Sequence, residues 1–350
     1  MKPAPIFANA VVIAVALCAA VLHELNPDWY FVAVQEDRFL EWATFWSFLA
    51  AAALLLKATW EGASFKAGWC LLLTAAFCLF VAFEEISWGQ RVFGYRPPET
   101  FLANNFQQEL NLHNIVDAGF RTFAMYGLTL GFGVLLPLLA RAKAVGDRFS
   151  AWHVLVPPAW LIPAMGVTGI FWGADSLPFT AEWGESMLGL CFLFVALDQA
   201  KSDSAAAVIS AVAFVAAAAL ASALLSQNRF MDDPEKTVRA KSELEALARD
   251  IKQRDIDIQC ALHTRVYSLV TDFGQEVLLD GEYAAMAKTK EQAERMGYFL
   301  DPWNYSYWVR HVCTPQGKVV TTFVYSFGPN QIRDAMSADD LGDDILVYAR

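Results

Sequence analysis

A chain of 350 residues of which 56% are hydrophobic and 18% charged, with 12 Trp and 26 Phe, is too apolar for an ordinary soluble fold. Its formal net charge of −11 speaks against nucleic acid as a partner, because that role calls for a basic face. Apolarity is confined to the first two thirds, so the composition predicts a membrane domain over 1–226 and an exported domain over 227–350.

Taken in chain order, apolar stretches near residues 7–24, 39–56, 67–83, 115–140, 151–172, 183–198 and 205–225 are each long enough to cross a bilayer. They predict an α-helical multi-pass membrane domain of about seven transmembrane helices. The first stretch, with Lys2 before an apolar run ending in Cys18, Ala19 and Ala20, also fits a cleaved signal peptide, and both readings stay open. Lys2, Lys57, Lys66, Arg141, Lys143, Arg148 and Lys201 fall in alternate loops, which the positive-inside rule assigns to the cytoplasm. The opposite loops carry His23, Glu24, Asp28, Glu36, Asp37, Glu84, Glu85, His113, Asp175, Glu182 and Glu185, so nearly all candidate chemistry faces outward. An odd number of spans places the C-terminal domain outside as well. The expected location is the inner (cytoplasmic) membrane of a bacterium, with a periplasmic C-terminal domain.

The third span ends in Glu84 and Glu85, and the loop to the fourth ends in Leu112-His113-Asn114 and Asp117. Ionisable groups cost about 2.5–3.5 kcal/mol each near the centre of a membrane helix, so such a cluster needs pairing or a purpose. Extended as a helix through Arg91, the third span sets Glu84, Ser87, Trp88 and Arg91 on one face, while His113, Asp117 and Arg121 fall one turn apart on the next. Glu84, Glu85, His113 and Asp117 are the candidate catalytic groups, able to hold a divalent transition metal whose bound hydroxide attacks an ester or amide. Trp88, Gln90, Arg91, Asn111, Asn114, Glu36 and Glu41 are candidate ligand-binding residues. The competing reading pairs the carboxylates with Arg91 or Arg121 in a structural network, because no HxxxH, HExxH or CxxC pair is present.

Beyond the last span, Val238, Leu244, Leu247, Ala248 and Ile251 repeat with helical spacing over Lys236–Cys260, which predicts one long helix continuing the final span outward. Two strands, Tyr305–Cys313 and Val319–Phe327, follow around the turn Thr314-Pro315-Gln316-Gly317. The exported part is therefore a small α+β domain. Cys18, Cys70, Cys78 and Cys191 sit in apolar spans, whereas Cys260 and Cys313 fall in the exported domain, where an oxidising compartment permits a disulfide between them and leaves both states open.

The segments GYFLDPWNYSYWVRH (297–311) and FVYSFGPNQIRDAMSADDLGDDI (323–345) resemble the C-terminal half of the major pseudopilins of type II secretion. That resemblance implies a pseudopilin-like head, a calcium ion bound by Asp334, Asp339, Asp340, Asp343 and Asp344, and partners among envelope or secretion proteins. Asn304 stands where that family has Gly, and no prepilin-peptidase signal precedes the helix. The run EEISWGQRVFG with NLHN resembles a signature of uncharacterised bacterial multi-pass proteins, which implies a shared membrane fold without an activity. Two functions stay open: a metal-dependent hydrolase or transferase acting on a lipid or lipid-linked substrate, and a non-enzymatic envelope or secretion-assembly component. Membrane lipids are partners in both.

Overall fold

The computed structural model describes residues 3–26, 29–30, 33–34, 38–61, 65–93, 98, 101, 110–113, 115–151, 155–173, 177, 180–202, 204–229, 234–253, 263–266, 301–303, 307–329, 342 and 344–349. The chain divides into two compact units, Met1–Trp88 with Val116–Leu224, and Gly89–Ile115 with Leu225–Arg350.

Among the described residues, six helices are long and apolar enough to cross a membrane: Ala4–Leu25, Phe39–Trp60, Phe65–Glu85, Gly119–Ala140, Thr180–Gln199 and Ala205–Ser226. They correspond to α1 (Pro3–Leu25), α2 (Phe39–Trp60), α3 (Phe65–Glu85), a composite of α5 (Ala118–Tyr126), a π-helical stretch (Gly127–Leu135) and α6 (Leu136–Ala140), then α9 (Thr180–Gln199) and α10 (Ala205–Arg229). Between α6 and α9 lie α7 (Lys143–Ala151) and α8 (Ile162–Trp172), and α4 (Gln90–Phe93) is a single turn in the second unit. The π-helical stretch runs into Pro137, which has no N–H to offer the Gly133 carbonyl, and the Leu136 amide reaches back five residues to Gly131.

The segment expected to span at 151–172 is instead a shorter apolar helix, Ala159–Trp172. Pro157 and Pro158 hold the chain before it extended, and Pro163 is tolerated only in the first turn of α8, so the helix starts late. Contacts along the unit order the ends of its helices. Asn9, near the start of α1, meets Trp160 and Ala164 at the start of α8, while Ala19, Phe171, Leu40, Tyr30 and Trp183 cluster where α1 and α8 end and α2 and α9 begin. Phe45 meets Phe83 and Phe48 meets Phe77, at 6.2 and 6.3 Å, so α3 runs against α2. Tyr126 lies beside Gly173, Thr129 beside Gly169 and Gly133 beside Met165, so the π-bearing helix runs against α8. The Trp46 indole donates to Ser222 Oγ at 2.9 Å, which ties a site early in α2 to one late in α10. Successive apolar helices thus alternate in direction.

At the centre of this unit lies α9, buried almost throughout from Thr180 to Leu197. Phe192 anchors it, packed against Phe48, Phe77 and Phe132 at 5.4–5.7 Å. A Cβ on Gly189 would lie 3.0 Å from that of Ser47, so this glycine lets α2 and α9 approach where lipid offers no hydrophobic drive.

In the second unit, α11 (Pro234–Gln253) packs on an antiparallel sheet of β1 (His263–Arg265), β2 (Trp308–Cys313), β3 (Val319–Ser326) and β4 (Ile345–Tyr348) in the order β1-β2-β3-β4. α10 is described to Arg229 and α11 from Pro234, whose ring suits a helix start; the junction on which the expected single long helix depends lies outside the described residues. Cross-strand neighbours Val309, Val324 and Val347 face Leu244, Leu247, Ala248 and Ile251, while Trp308, Tyr325 and Leu346 lie on the opposite face with Phe327. The expected hairpin turn is closed by the Thr314 amide on the Lys318 carbonyl, with Gly317 at φ 81°. Glu243 on α11 accepts from Tyr307 Oη at 2.6 Å and from Arg239 Nε at 2.7 Å. Buried Asp301 accepts from the Trp303 amide and from Ser326 Oγ, at 3.0 and 2.6 Å, so the two quoted sequence motifs are bonded to each other. Cys313 is disulfide-bonded, the four cysteines of the apolar helices are free thiols, and Cys260 lies outside the described residues.

Candidate functional site

Three helix ends of the first unit bring carboxylates together. Glu41 stands in the first turn of α2, Glu84 and Glu85 close α3, and Glu182 and Glu185 open α9. Glu85 is buried, and Glu185, Glu182, Glu41 and Glu84 all lie within electrostatic reach of it. Acidic groups suit the first turns of α2 and α9, where unpaired amides and the helix dipole favour negative charge. Glu84 and Glu85 sit at the end of α3 instead, where the dipole disfavours them, so their placement there is not explained by local helix preference.

Glu84 is held by the backbone that follows it. Ser87, Trp88 and Gly89 all have positive φ, at 46°, 54° and 79°, which ends the helix abruptly and turns Trp88 back along α3. Its indole then donates to Glu84 Oε1 at 2.7 Å and stacks on Phe83 at 5.6 Å. Two consecutive non-glycine residues in the left-handed region are costly, and such strain concentrates where a side chain must be aimed. The expectation of an unbroken helix through Arg91, with Glu84, Ser87, Trp88 and Arg91 on one face, therefore fails at Ser87.

Arg38, which precedes α2, is only 3% exposed, and it is the cation nearest in sequence to Glu41. Tyr30, earlier in the chain, is buried, stacked on Trp183 at 5.9 Å and meeting His23 edge-on at 5.2 Å. Burial pushes the Tyr30 phenol up from its ordinary value, which keeps it a neutral hydroxyl at physiological pH.

Basic residues gather at the other end of the unit, where Lys57 also pairs with Glu61 at 3.8 Å. Lys57 in the last turn of α2, Lys66 in the first turn of α3, Arg141 after α6 and Lys201 after α9 lie at the end opposite the carboxylates.

The other predicted residues are placed differently. Asp117 is exposed and caps α5, its Oδ1 accepting the Gly119 and Phe120 amides at 2.8 and 3.2 Å. His113 belongs to the second unit, in a turn where the Ile115 amide bonds the Leu112 carbonyl, so His113 and Asp117 do not share a helical stripe. Gln90 and Asn111 are buried in that same unit, and Gln90 Oε1 accepts the Leu110 amide at 2.7 Å, while Arg91 lies in α4. Glu36 and Asn114 lie outside the described residues, as do Asp334, Asp339, Asp340 and Asp343 of the expected calcium loop. Asp344 is buried just before β4. Among the described residues, no three His, Cys, Asp or Glu side chains converge as ligands of one ion.

Arg38 is not among the residues singled out from the sequence, whereas Glu182 and Glu185, at the outer start of a predicted span, stay open there between joining the cluster and being solvated. The available signal was their position at the starts of two predicted spans on the same side of the membrane as Glu84 and Glu85. No family model matches the chain, and neither does any curated protein or solved structure.

Proposed function

We propose that this is a seven-crossing membrane protein of the bacterial inner membrane whose acidic end faces outward and acts on a lipid or lipid-linked substrate as a hydrolase or transferase. The observation that carries the reading is the gathering of Glu41, Glu84, Glu182 and Glu185 around buried Glu85 from three separate helices at one end of the first unit. Carboxyl groups side by side supply both halves of acid–base chemistry: a protonated one donates to a leaving oxygen, and an ionised one takes the proton of an attacking water or alcohol. Placement at the ends of spans puts that chemistry at the depth of lipid headgroups, and Trp88 is an aromatic of the kind that settles there.

The short helix Ala159–Trp172 counts as the fifth crossing, because it links the basic end, where α6 finishes, to the acidic end, where α9 starts. Basic residues at the opposite end support a cytoplasmic side for that end. The disulfide at Cys313 supports this orientation, since such bonds are favoured in an oxidising compartment. The acid–base role is assigned to the carboxyl groups gathered around Glu85, because Asp117 is engaged as a helix cap.

A second reading, an envelope or secretion-assembly component with a pseudopilin-like head and a calcium loop, is favoured by one feature: a helix packed on an antiparallel meander whose motif residues Asp301 and Ser326 bond directly. The deciding experiment is mass spectrometry of lipids from cells making the wild-type chain, Glu85→Gln, or a chain ending at residue 228. Loss of a lipid product with Glu85→Gln at normal protein level supports the enzyme. An unchanged lipid profile in all three, with the cellular phenotype lost only on truncation, supports the assembly component.

A further inference from the structure

α1 has the sequence of a removable leader and the packing of a permanent helix. Ala4, Ala8, Val12 and Ala19 are buried to 2% exposure or less and form one stripe, along which α1 meets α8 and α9. A leader needs only general apolarity, whereas small residues spaced four apart are what close helix packing in lipid requires.

Asn9 adds a polar reason. Pro157, Pro158 and Pro163 make α8 begin at the level of Asn9, two turns along α1, so the first backbone groups of α8 lack helical partners in a region with little water. Asn9 Oδ1 accepts the Ala164 amide at 2.9 Å, and its Nδ2 donates to the Trp160 carbonyl at 2.8 Å and to the Pro5 carbonyl at 2.7 Å. One amide side chain thereby serves a donor and an acceptor of α8 and also a carbonyl of its own helix. Only Asn or Gln offers both an acceptor and two donors on one uncharged group.

We propose that α1 is never removed, and that Asn9 is the internal cap that lets the proline-shortened α8 start inside the membrane. Removal of α1 after the Cys18-Ala19-Ala20 run would take away this cap and expose Trp160 and Ala164.

The test is the intact mass of the full chain, carrying a C-terminal tag and purified from membranes, followed by thermal unfolding of Asn9→Leu, Asn9→Asp and wild type in the same detergent. A mass that includes residues 3–20 and a Tm several degrees lower for Asn9→Leu, with Asn9→Asp also lowered because it loses the donors, are the expected results. A chain beginning near residue 21 overturns the proposal. So does an Asn9→Leu variant as stable as wild type or more so, which is the outcome for an asparagine that faces lipid, where replacement by Leu is favourable. The mass measurement needs no variant, so a failure of Asn9→Leu to accumulate leaves the first criterion standing.

Discussion

At the scale of single residues, the site depends on how side chains are held. Trp88 is aimed by a left-handed turn and bonds Glu84 at 2.7 Å while stacking on Phe83. Trp88→Phe keeps the stacking and deletes the donor, so Glu84 loses the bond that orients it; under the proposed function, turnover falls at least tenfold while unfolding shifts by about 1 kcal/mol. Asp117→Ala gives the reverse pattern, a loss of about 1 kcal/mol from the lost cap with turnover unchanged, because that carboxylate serves the α5 amides. Thermal unfolding and a lipid product assay on the same two variants check both. A drop in turnover with Asp117→Ala at unchanged stability would return Asp117 to the catalytic groups. If metal rather than carboxyl acid–base chemistry operates, elemental analysis will find a stoichiometric transition metal in wild type that is lost in Glu85→Gln; no such loss is expected.

At the scale of elements, proline and glycine decide what hydropathy alone leaves open. Pro137 accounts for the π-helical register before it, and Pro157, Pro158 and Pro163 turn an expected full span into a short one. The π-bearing helix then approaches α8 through glycine: a Cβ on Gly169 would lie 2.9 Å from Thr129 Oγ1 and 3.0 Å from Leu130 Cδ2, whereas one on Gly166 would meet nothing within 4 Å. Gly169→Ala is therefore expected to lose about 1–3 kcal/mol by overpacking, while Gly166→Ala changes stability little or gains up to about 1 kcal/mol from helix propensity. Thermal unfolding in one detergent compares the pair, and equal effects would mean that the two helices do not approach as closely as these distances require.

At the scale of the whole molecule, each unit carries its own stabilising principle. Cys313→Ser is expected to cost the C-terminal unit about 2–5 kcal/mol, seen as early loss of its sheet on heating, while the apolar helices, whose cysteines are free, unfold as before. A reporter that matures only in an oxidising compartment, fused after residue 350, should be active; an inactive fusion beside an active cytoplasmic one would reverse the orientation proposed for the acidic end. The sequence by itself determined the membrane character, the polar C-terminal part, the helices α1, α2, α3, α9 and α10 to within a few residues, the hairpin of β2 and β3, and the opposed basic and acidic loops. These are properties of composition, period and local turn chemistry, which neighbouring residues encode without reference to the rest of the chain. Only tertiary structure decided which carboxylates meet. Glu41, Glu85 and Glu185 lie far apart in sequence and come together because α2, α3 and α9 pack side by side, whereas Asp117, nearer to Glu85 along the chain than either Glu41 or Glu185, is drawn into capping its own helix. Hydropathy marks where a helix crosses; the fit of Phe48, Ser47, Gly189 and Phe192 against one another decides which helices are neighbours, and with that which of their charged ends share a site.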